Sequence, residues 1–245
     1  MLIFCCYVYN QDMNIVRLHD WHVTTSRAIQ IQKELAGQVS RTGDVTPELV
    51  AGVDISVDRL SGTGTGAVVV LNYPGLEIVE VQVITDRIEF PYVPGLLSFR
   101  EAPLVLAACE KLEVNPDLFI VDGQGIAHPR RIGLASHLGL FWDTPTIGCA
   151  KSRLCGTHEL PGDNAGSYAQ LIDKNDIVGA VLRTRTGVKP VYVSVGHRIG
   201  LQSAINWVLA CCRGYRLPEP TRLAHQAAGG NLKLESVTAD VKMLK

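Results

Sequence analysis

The sequence predicts an α/β protein whose mixed β-sheet is flanked by helices. Its 245 residues are 47% hydrophobic and 19% charged, which suits one globular domain. Three runs rich in Val and Ile follow residue 48 and predict successive strands. Between residues 97 and 150, apolar strands alternate with helical segments, and this alternation favours parallel pairing.

The first elements in chain order are an amphipathic helix and a three-stranded meander. Within residues 20–40, apolar side chains recur at helical spacing, at Ala28, Ile31, Leu35 and Val39. Strands are predicted at residues 49–57, 67–73 and 76–85. Turns at residues 61–66 and 74–75 separate them, so the three strands should pair antiparallel. The first turn is rich in glycine, but it is not a dinucleotide loop, because a strand follows it instead of a helix.

The remaining elements extend this sheet. Helices are predicted at 97–112 and 131–141, and strands at 117–122 and 145–150. A hairpin around Thr186-Gly187 then joins residues 177–184 to 190–195, and a helix follows at 201–211. The order βββαβαβ with an appended hairpin and helix is that of a ribonuclease H-like sheet, although order alone does not separate it from other α/β folds.

The domain prediction is a single catalytic unit over residues 13–226, because no internal repeat or long charge run interrupts the chain. Residues 1–12 precede Met13 and are interpreted as an upstream extension of the reading frame. Residues 227–245 are interpreted as a solvated C-terminal tail. We expect a monomer.

Charge and cysteine content restrict the binding partners and the cellular location expected for the protein. The net charge of −1 provides no global attraction to a polyanion, so nucleic-acid contacts must use local patches. Seven cysteines without a C-x-x-C motif fit neither a disulfide framework nor a zinc site, which indicates a reducing, cytoplasmic location. The apolar segment Met1–Tyr9 has no basic lead and is shorter than the ~20 residues of a membrane span, so no membrane contact is expected.

Three carboxylates are candidate ligands of a cation. Asp54 interrupts an apolar strand, where its desolvation needs compensation. Asp122 ends another strand, and it becomes a neighbour of Asp54 if the first and fourth strands pair. Glu101 begins the intervening helix and can reach the same point. Three oxygen ligands suit Mg²⁺. Each residue also has a structural alternative: Glu101 completes a capping box with Ser98, Asp122 suits a turn, and Asp54 can be buried with donors.

Several other residues have both a structural and a functional interpretation. Tyr92 lies between two prolines, either in a rigid loop or in a finger that enters a duplex. His128 and Arg130 are expected to open the second helix, where they either bind phosphate or are solvated. Lys151 follows the next parallel strand and can face the same edge. His225 lies beyond the last predicted helix, and a lone histidine is usually structural.

Ordered motifs across residues 20–226 closely resemble the endonuclease V family, the deoxyinosine 3′ endonucleases. The motifs are PYVPGLLSFRE at 91–101, DGQGIAHPRR at 122–131, GCAKSRLCG at 148–156, AGVD at 51–54 and PEPTRLAH at 218–225. The resemblance implies a ribonuclease H-like nuclease that recognises hypoxanthine in DNA. It also implies cleavage of the second phosphodiester bond 3′ to the lesion, with 3′-hydroxyl and 5′-phosphate products.

The resemblance also implies roles for individual residues. The metal carboxylates would be Asp54, Glu101 and Asp122, holding Mg²⁺ or, as a substitute, Mn²⁺. Further catalytic groups would be His225 and Lys151. Tyr92 would be the wedge that fills the gap left by an extruded base. The base pocket would include Gly95, Leu97 and Gly123. Phosphate contacts would come from His128, Arg130 and Lys151. The partner would be inosine-containing DNA, with single-stranded DNA or RNA left open.

One position departs from the family pattern. Gln124 stands where the family usually has histidine in Asp-Gly-His-Gly, and its amide cannot share a proton in the same way. Two rival functions follow from the sequence. A non-cutting inosine-binding module is supported only by Gln124, and another ribonuclease H-like nuclease, such as a junction resolvase, would not need the Tyr92 finger.

Overall fold

The computed structural model describes residues 13–233, which form five helices and eight strands. In chain order these are α1 Thr25–Ala36, β1 Leu49–Asp58, β2 Thr63–Asn72, β3 Ile78–Arg87, α2 Leu97–Cys109, β4 Leu118–Val121, α3 Leu134–Trp142, β5 Thr146–Ala150, β6 Tyr168–Asp173, β7 Asp176–Leu182, β8 Val191–His197, α4 Leu201–Ala210 and α5 Glu219–Ala228. The predicted extension, including Cys5 and Cys6, lies outside the described residues.

All eight strands form one sheet in the order β3-β2-β1-β4-β5-β8-β7-β6. The pairs β1/β4 and β4/β5 are parallel, and the other neighbours are antiparallel. This topology confirms the predicted ribonuclease H-like mixed sheet. It also confirms the antiparallel meander and the pairing of the first strand with the fourth.

The register of β1 and β4 fixes the relation between the two strand carboxylates. Val53 is the partner of Val121, and the backbone N–H of Asp122 donates to the Val53 carbonyl at 3.0 Å. Asp54 and Asp122 therefore occupy equivalent positions at the point where the parallel pairing of β1 with β4 ends. Ligands of α/β sheets tend to bind at such ends.

Two layers of helices cover the sheet. Helices α2 and α3 pack on the face that carries Ala51 and Val53 of β1. Alternate β1 residues face the other side, where Val50 packs in the core that includes α4. Helix α5 lies on this second side against β1 and β2. Asp54 has the same parity as Val50, so it faces the side on which α5 packs.

The structure corrects several sequence predictions. The second helix begins at Leu134, so the segment from His128 to Arg131 does not open it. Strand β2 begins at Thr63, inside the predicted turn. Strand β6 and helix α5 were both missed, and His225 lies on α5 instead of beyond the last helix. The predicted boundary after residue 226 falls inside α5, because Ala227 and Ala228 are buried against β2.

Other expectations concern the cysteines and the membrane. Cys109, Cys149 and Cys211 are buried free thiols in apolar surroundings, as expected for small hydrophobic residues. Among residues 13–233, no helix has both the length and the apolar character needed to cross a bilayer.

Candidate functional site

Two strand carboxylates and one helical histidine converge at the end of the β1/β4 pair. Potential ligand atoms of Asp54, Asp122 and His225 all lie within 4.8 Å of one another. Asp54 is only 7% exposed, although it stands within a strand, and His225 Nδ1 lies 2.5 Å from its Oδ2. This contact explains how a carboxylate is accommodated where the sequence shows an apolar strand.

Helix α5 reaches this centre because β1 lacks a side chain at Gly52. A Cβ atom built at Gly52 would lie 1.9 Å from the carbonyl oxygen of Pro220, in the first turn of α5. Only glycine permits so close an approach of two backbones. The helix then brings His225 over Asp54, which lies on the same face of β1 as Gly52. Gly52 thus positions a side chain that is distant in the sequence.

Glu101 adds a third carboxyl group from the first turns of α2. Burial, together with the nearby charge of Asp54, raises the pKa of Glu101 to about 8. The capping-box interpretation of Glu101 is wrong, because α2 begins at Leu97 after Leu96, with no side-chain cap. The Ser98 hydroxyl is instead bonded to His137 Nδ1 at 2.9 Å. Glu101 therefore interacts with the acidic centre.

The electrostatics of the centre suit a cation. Burial and the adjacent Asp122 raise the pKa of Asp54, and this rise is opposed by its bond to His225. Lys151 Nζ forms an ion pair with Asp122, as expected from its position after β5. Since one ammonium group faces three carboxyl groups, a divalent cation would relieve the remaining repulsion. Oxygen donors of this kind match the preference of Mg²⁺ and Mn²⁺.

A small cavity is lined by residues of α2 and of the loop that follows β4, the segments that carry Glu101 and Asp122. Its volume is about 140 Å³. It is lined by Gln32, Tyr92, Val93, Pro94, Gly95, Leu97, Ser98, Gln124, His128, Gly133, Leu134 and Leu154. Tyr92 is 71% exposed at the mouth of the cavity, so its ring is free to contact a ligand. Tyr92, Gly95 and Leu97 line this one cavity, whereas Gly123 lies beside Leu134 and is not part of the lining.

The carbonyl of Gly95 anchors the loop that forms this cavity. It accepts hydrogen bonds from Gln32 Nε2 at 3.0 Å, His128 Nε2 at 3.0 Å and an Arg130 guanidinium N–H at 2.6 Å. Gly95 has a φ of 78°, and a Cβ there would lie 2.8 Å from Arg130. The loop is therefore held in one shape by buried polar contacts.

The sequence left open whether His128 and Arg130 bind phosphate or are solvated, and the buried ring of His128 fits neither alternative. His128 is 2% exposed, and its Nδ1 accepts from the Arg130 backbone N–H at 3.1 Å. Burial lowers the pKa of His128 to about 4, so the ring is neutral near pH 7. Both of its nitrogens are engaged within the loop. The guanidinium of Arg130 also donates from Nε to Gln32 at 2.5 Å.

Gln124 lines the cavity, and its side-chain oxygen has no hydrogen-bond partner among the described residues. Its Nε2 donates to the Ser152 carbonyl at 2.8 Å, which fixes the orientation of the amide. Its Oε1 is buried without a hydrogen-bond partner among the described residues. A buried acceptor left unpaired is costly, and an ordered water or a ligand donor would satisfy it.

Several residues of the cavity wall were not predicted from the sequence, among them Gln32, Ser98 and Leu154. Gln32 is 1% exposed on α1, so a polar residue on the buried stripe of a predicted amphipathic helix was an available signal. Ser98 had been assigned to the capping box. No sequence signal distinguishes Leu154, which lies in a loop.

The sheet order, with two carboxylates where the parallel pairing of β1 and β4 ends and a third from α2, defines a ribonuclease H-like protein with an acidic centre. The chain belongs to the endonuclease V family, whose model, described as endonuclease V, matches residues 33–226. Membership makes it a nuclease.

Known members of the family are similar over most of their length. The chain is 55% identical over 218 residues to endonuclease V of Dehalococcoides mccartyi, covering 89% of this chain and 98% of that protein. The crystal structure of endonuclease V from Streptomyces avermitilis has a TM-score of 0.82 at 45% identity, covering 86% of this chain and 94% of that one. Endonuclease V of Ciona intestinalis in complex with a 23mer DNA containing an inosine has a TM-score of 0.73 at 28% identity, covering 86% and 98%.

Proposed function

We propose that this protein is a metal-dependent DNA repair endonuclease that recognises deoxyinosine. It cuts the second phosphodiester bond on the 3′ side of the lesion and leaves 3′-hydroxyl and 5′-phosphate ends. The observation that carries the proposal is an acidic centre together with a small cavity that exposes Tyr92 and is lined by Ser98, on the same helix as Glu101, and by Gln124, two residues after Asp122. The inosine-containing DNA bound by the Ciona intestinalis relative supports the same substrate class.

The acidic centre would hold the metal ion through Asp54, Asp122 and Glu101. Mg²⁺ supplies activation of water and neutralisation of charge on the leaving oxygen when it is bound. Mn²⁺ prefers the same oxygen ligands and is expected to substitute.

His225 and Lys151 complete the catalytic groups. His225 Nδ1 donates to Asp54, and the side chain is otherwise 60% exposed, so Nε2 is free to accept a proton from water. The Lys151 side chain is 39% exposed beside Asp122, and its ammonium group can contact the phosphate or the nicked product. Both roles are consistent with in-line attack of water on phosphorus.

Recognition would depend on a flipped base. Extruding a base costs a few kcal/mol of unstacking, and the cost is smaller for a poorly paired lesion such as inosine. Tyr92 would fill the gap in the duplex, while Gly95 and Leu97 line the cavity that receives the base. Because the cut lies away from the lesion, base recognition and bond cleavage occupy separate parts of the site.

The near-neutral net charge makes DNA binding dependent on local contacts. The net charge is −1, so affinity should be modest and sensitive to salt. Within the predicted phosphate set, His128 is buried, whereas Lys151 and Arg130 keep partly exposed cations that can contact phosphate.

The direct test is a cleavage map. The purified protein is incubated with Mg²⁺ and a duplex carrying one deoxyinosine, beside an unmodified duplex and an Asp122→Ala variant. A nick at the second phosphodiester 3′ to the lesion, absent from both controls, is the expected result. Binding without cleavage would instead identify a recognition module and make Gln124→His the next variant, and cleavage of a junction without inosine would favour a resolvase.

A further inference from the structure

A chain of hydrogen bonds connects the backbone near the protein surface to the base cavity. His19 Nδ1 lies 2.9 Å from the Asp20 carbonyl oxygen, and His19 Nε2 lies 2.7 Å from His137 Nε2. His137 Nδ1 then lies 2.9 Å from the hydroxyl of Ser98, which lines the cavity. The mechanism derived above uses neither histidine.

The two histidines occupy an aromatic environment that favours their neutral forms. His137 is fully buried and lies against the rings of Trp21, Phe99 and Phe141. Burial lowers the pKa of His137 and, to a lesser extent, that of His19. Near pH 7 each ring therefore carries one proton.

With one proton on each ring, every donor and acceptor in the chain is determined. A carbonyl oxygen only accepts, so His19 Nδ1 carries the proton and His19 Nε2 is an acceptor. His137 must then donate from Nε2, which leaves its Nδ1 as an acceptor. The Ser98 hydroxyl consequently donates to His137 Nδ1. Its remaining lone pairs offer only an acceptor to the cavity.

An acceptor that faces N1 of the base discriminates between the two relevant bases. The base of deoxyinosine has a single N–H group, at N1, whereas adenine has a lone pair at N1. The Gly95 carbonyl already accepts three hydrogen bonds and is saturated. We propose that Ser98 is a specificity residue that accepts from N1–H of hypoxanthine, and that His137, oriented by His19, is the positioning residue that keeps the Ser98 hydroxyl an acceptor.

This inference rests on the proposed function, because it assumes that the cavity receives hypoxanthine. The test measures equilibrium binding in EDTA, so that cleavage and the metal do not contribute. Two labelled oligonucleotides that differ only in one deoxyinosine or deoxyadenosine are titrated with wild type, Ser98→Ala, Ser98→Thr and His137→Phe. Thermal unfolding confirms that each variant is folded.

We expect Ser98→Ala to weaken binding to the inosine oligonucleotide about tenfold, with little change for the adenosine one. Ser98→Thr keeps the hydroxyl and should retain the preference. His137→Phe keeps the aromatic packing but leaves the Ser98 hydroxyl free to rotate. The preference for inosine over adenosine should therefore decrease, because inosine binding becomes weaker and adenosine binding becomes stronger.

The outcomes distinguish failure of the Ser98 inference from failure of the proposed function. If wild type prefers inosine and Ser98→Ala keeps the same preference, the inference is overturned and Gln124 is the next residue to test. Equal loss for both oligonucleotides in Ser98→Ala would also overturn it, since that is the result of a purely structural role. Equal wild-type affinity for both oligonucleotides would refute the proposed function itself. If His137→Phe fails to fold, the Ser98→Ala and Ser98→Thr pair still decides the matter.

Discussion

Replacing Glu101 by glutamine should stabilise the metal-free protein at neutral pH. The pKa of Glu101 is raised from 4.5 to about 8 by burial and by the charge of Asp54. The folded state therefore binds this proton more tightly than the unfolded state does, and stability is lost as pH rises from 4.5 towards 8. Glutamine has a similar shape but no charge, so it should remove this part of the pH dependence.

The magnitude follows from the linkage relation. The penalty accumulates at about 1.4 kcal/mol per pH unit, so it reaches at most about 4 kcal/mol at about pH 7.5. Urea unfolding in EDTA should give similar stabilities for wild type and Glu101→Gln at about pH 4.5 and a clear advantage for the variant at about pH 7.5. Adding Mg²⁺ should stabilise wild type more than the variant.

A matched control is available on the surface. Glu159→Gln removes an exposed carboxylate from a loop and should leave the pH dependence of stability at that of wild type. Parallel curves of unfolding free energy against pH for wild type and Glu101→Gln would refute the electrostatic account. They would mean that burial and the nearby carboxylates do not destabilise the charged form of Glu101.

Two further predictions concern the division of the site and its assembly. Asp54→Ala should abolish cleavage while binding to inosine-containing DNA stays measurable, whereas Tyr92→Ala should weaken discrimination between inosine and adenosine DNA more than Asp54→Ala does. Gel-shift and cleavage assays measure both effects. Complete loss of binding by Asp54→Ala would contradict the separation of recognition from cleavage. Gly52→Ala should displace α5, lowering both the cleavage rate and the unfolding temperature, since its Cβ meets the Pro220 carbonyl at 1.9 Å. An active, equally stable Gly52→Ala variant would show that His225 does not need this contact.

The centre of the sheet was predictable because its strands are continuous apolar runs. Such runs predict β1, β4 and β5, and the parallel ends of β1 and β4 bring Asp54 and Asp122 together. The placement of these two carboxylates follows from local pattern and topology alone. Their ion-pair partner, Lys151, follows from the same rule at the end of β5.

The missed elements lack that pattern for physical reasons. Helix α5 buries small residues such as Ala224 and Thr221 against a glycine on β1, so it has no stripe of large apolar side chains. Strand β6 is an edge strand with mostly exposed residues, and its composition resembles a loop. The burial of His128 depends on a hydrogen bond to the carbonyl of Gly95, a contact between distant residues that no local pattern encodes.

The close approach of α5 to Gly52 also affects when the nuclease becomes active during synthesis. Asp54 and His225 are 171 positions apart, and α5 is the last helix of the described chain. Domains form progressively as a chain emerges from the ribosome, so the strands that carry the carboxylates are made long before the histidine. The complete centre of Asp54, Asp122 and His225 can therefore form only after α5 has been synthesised and has packed on β1.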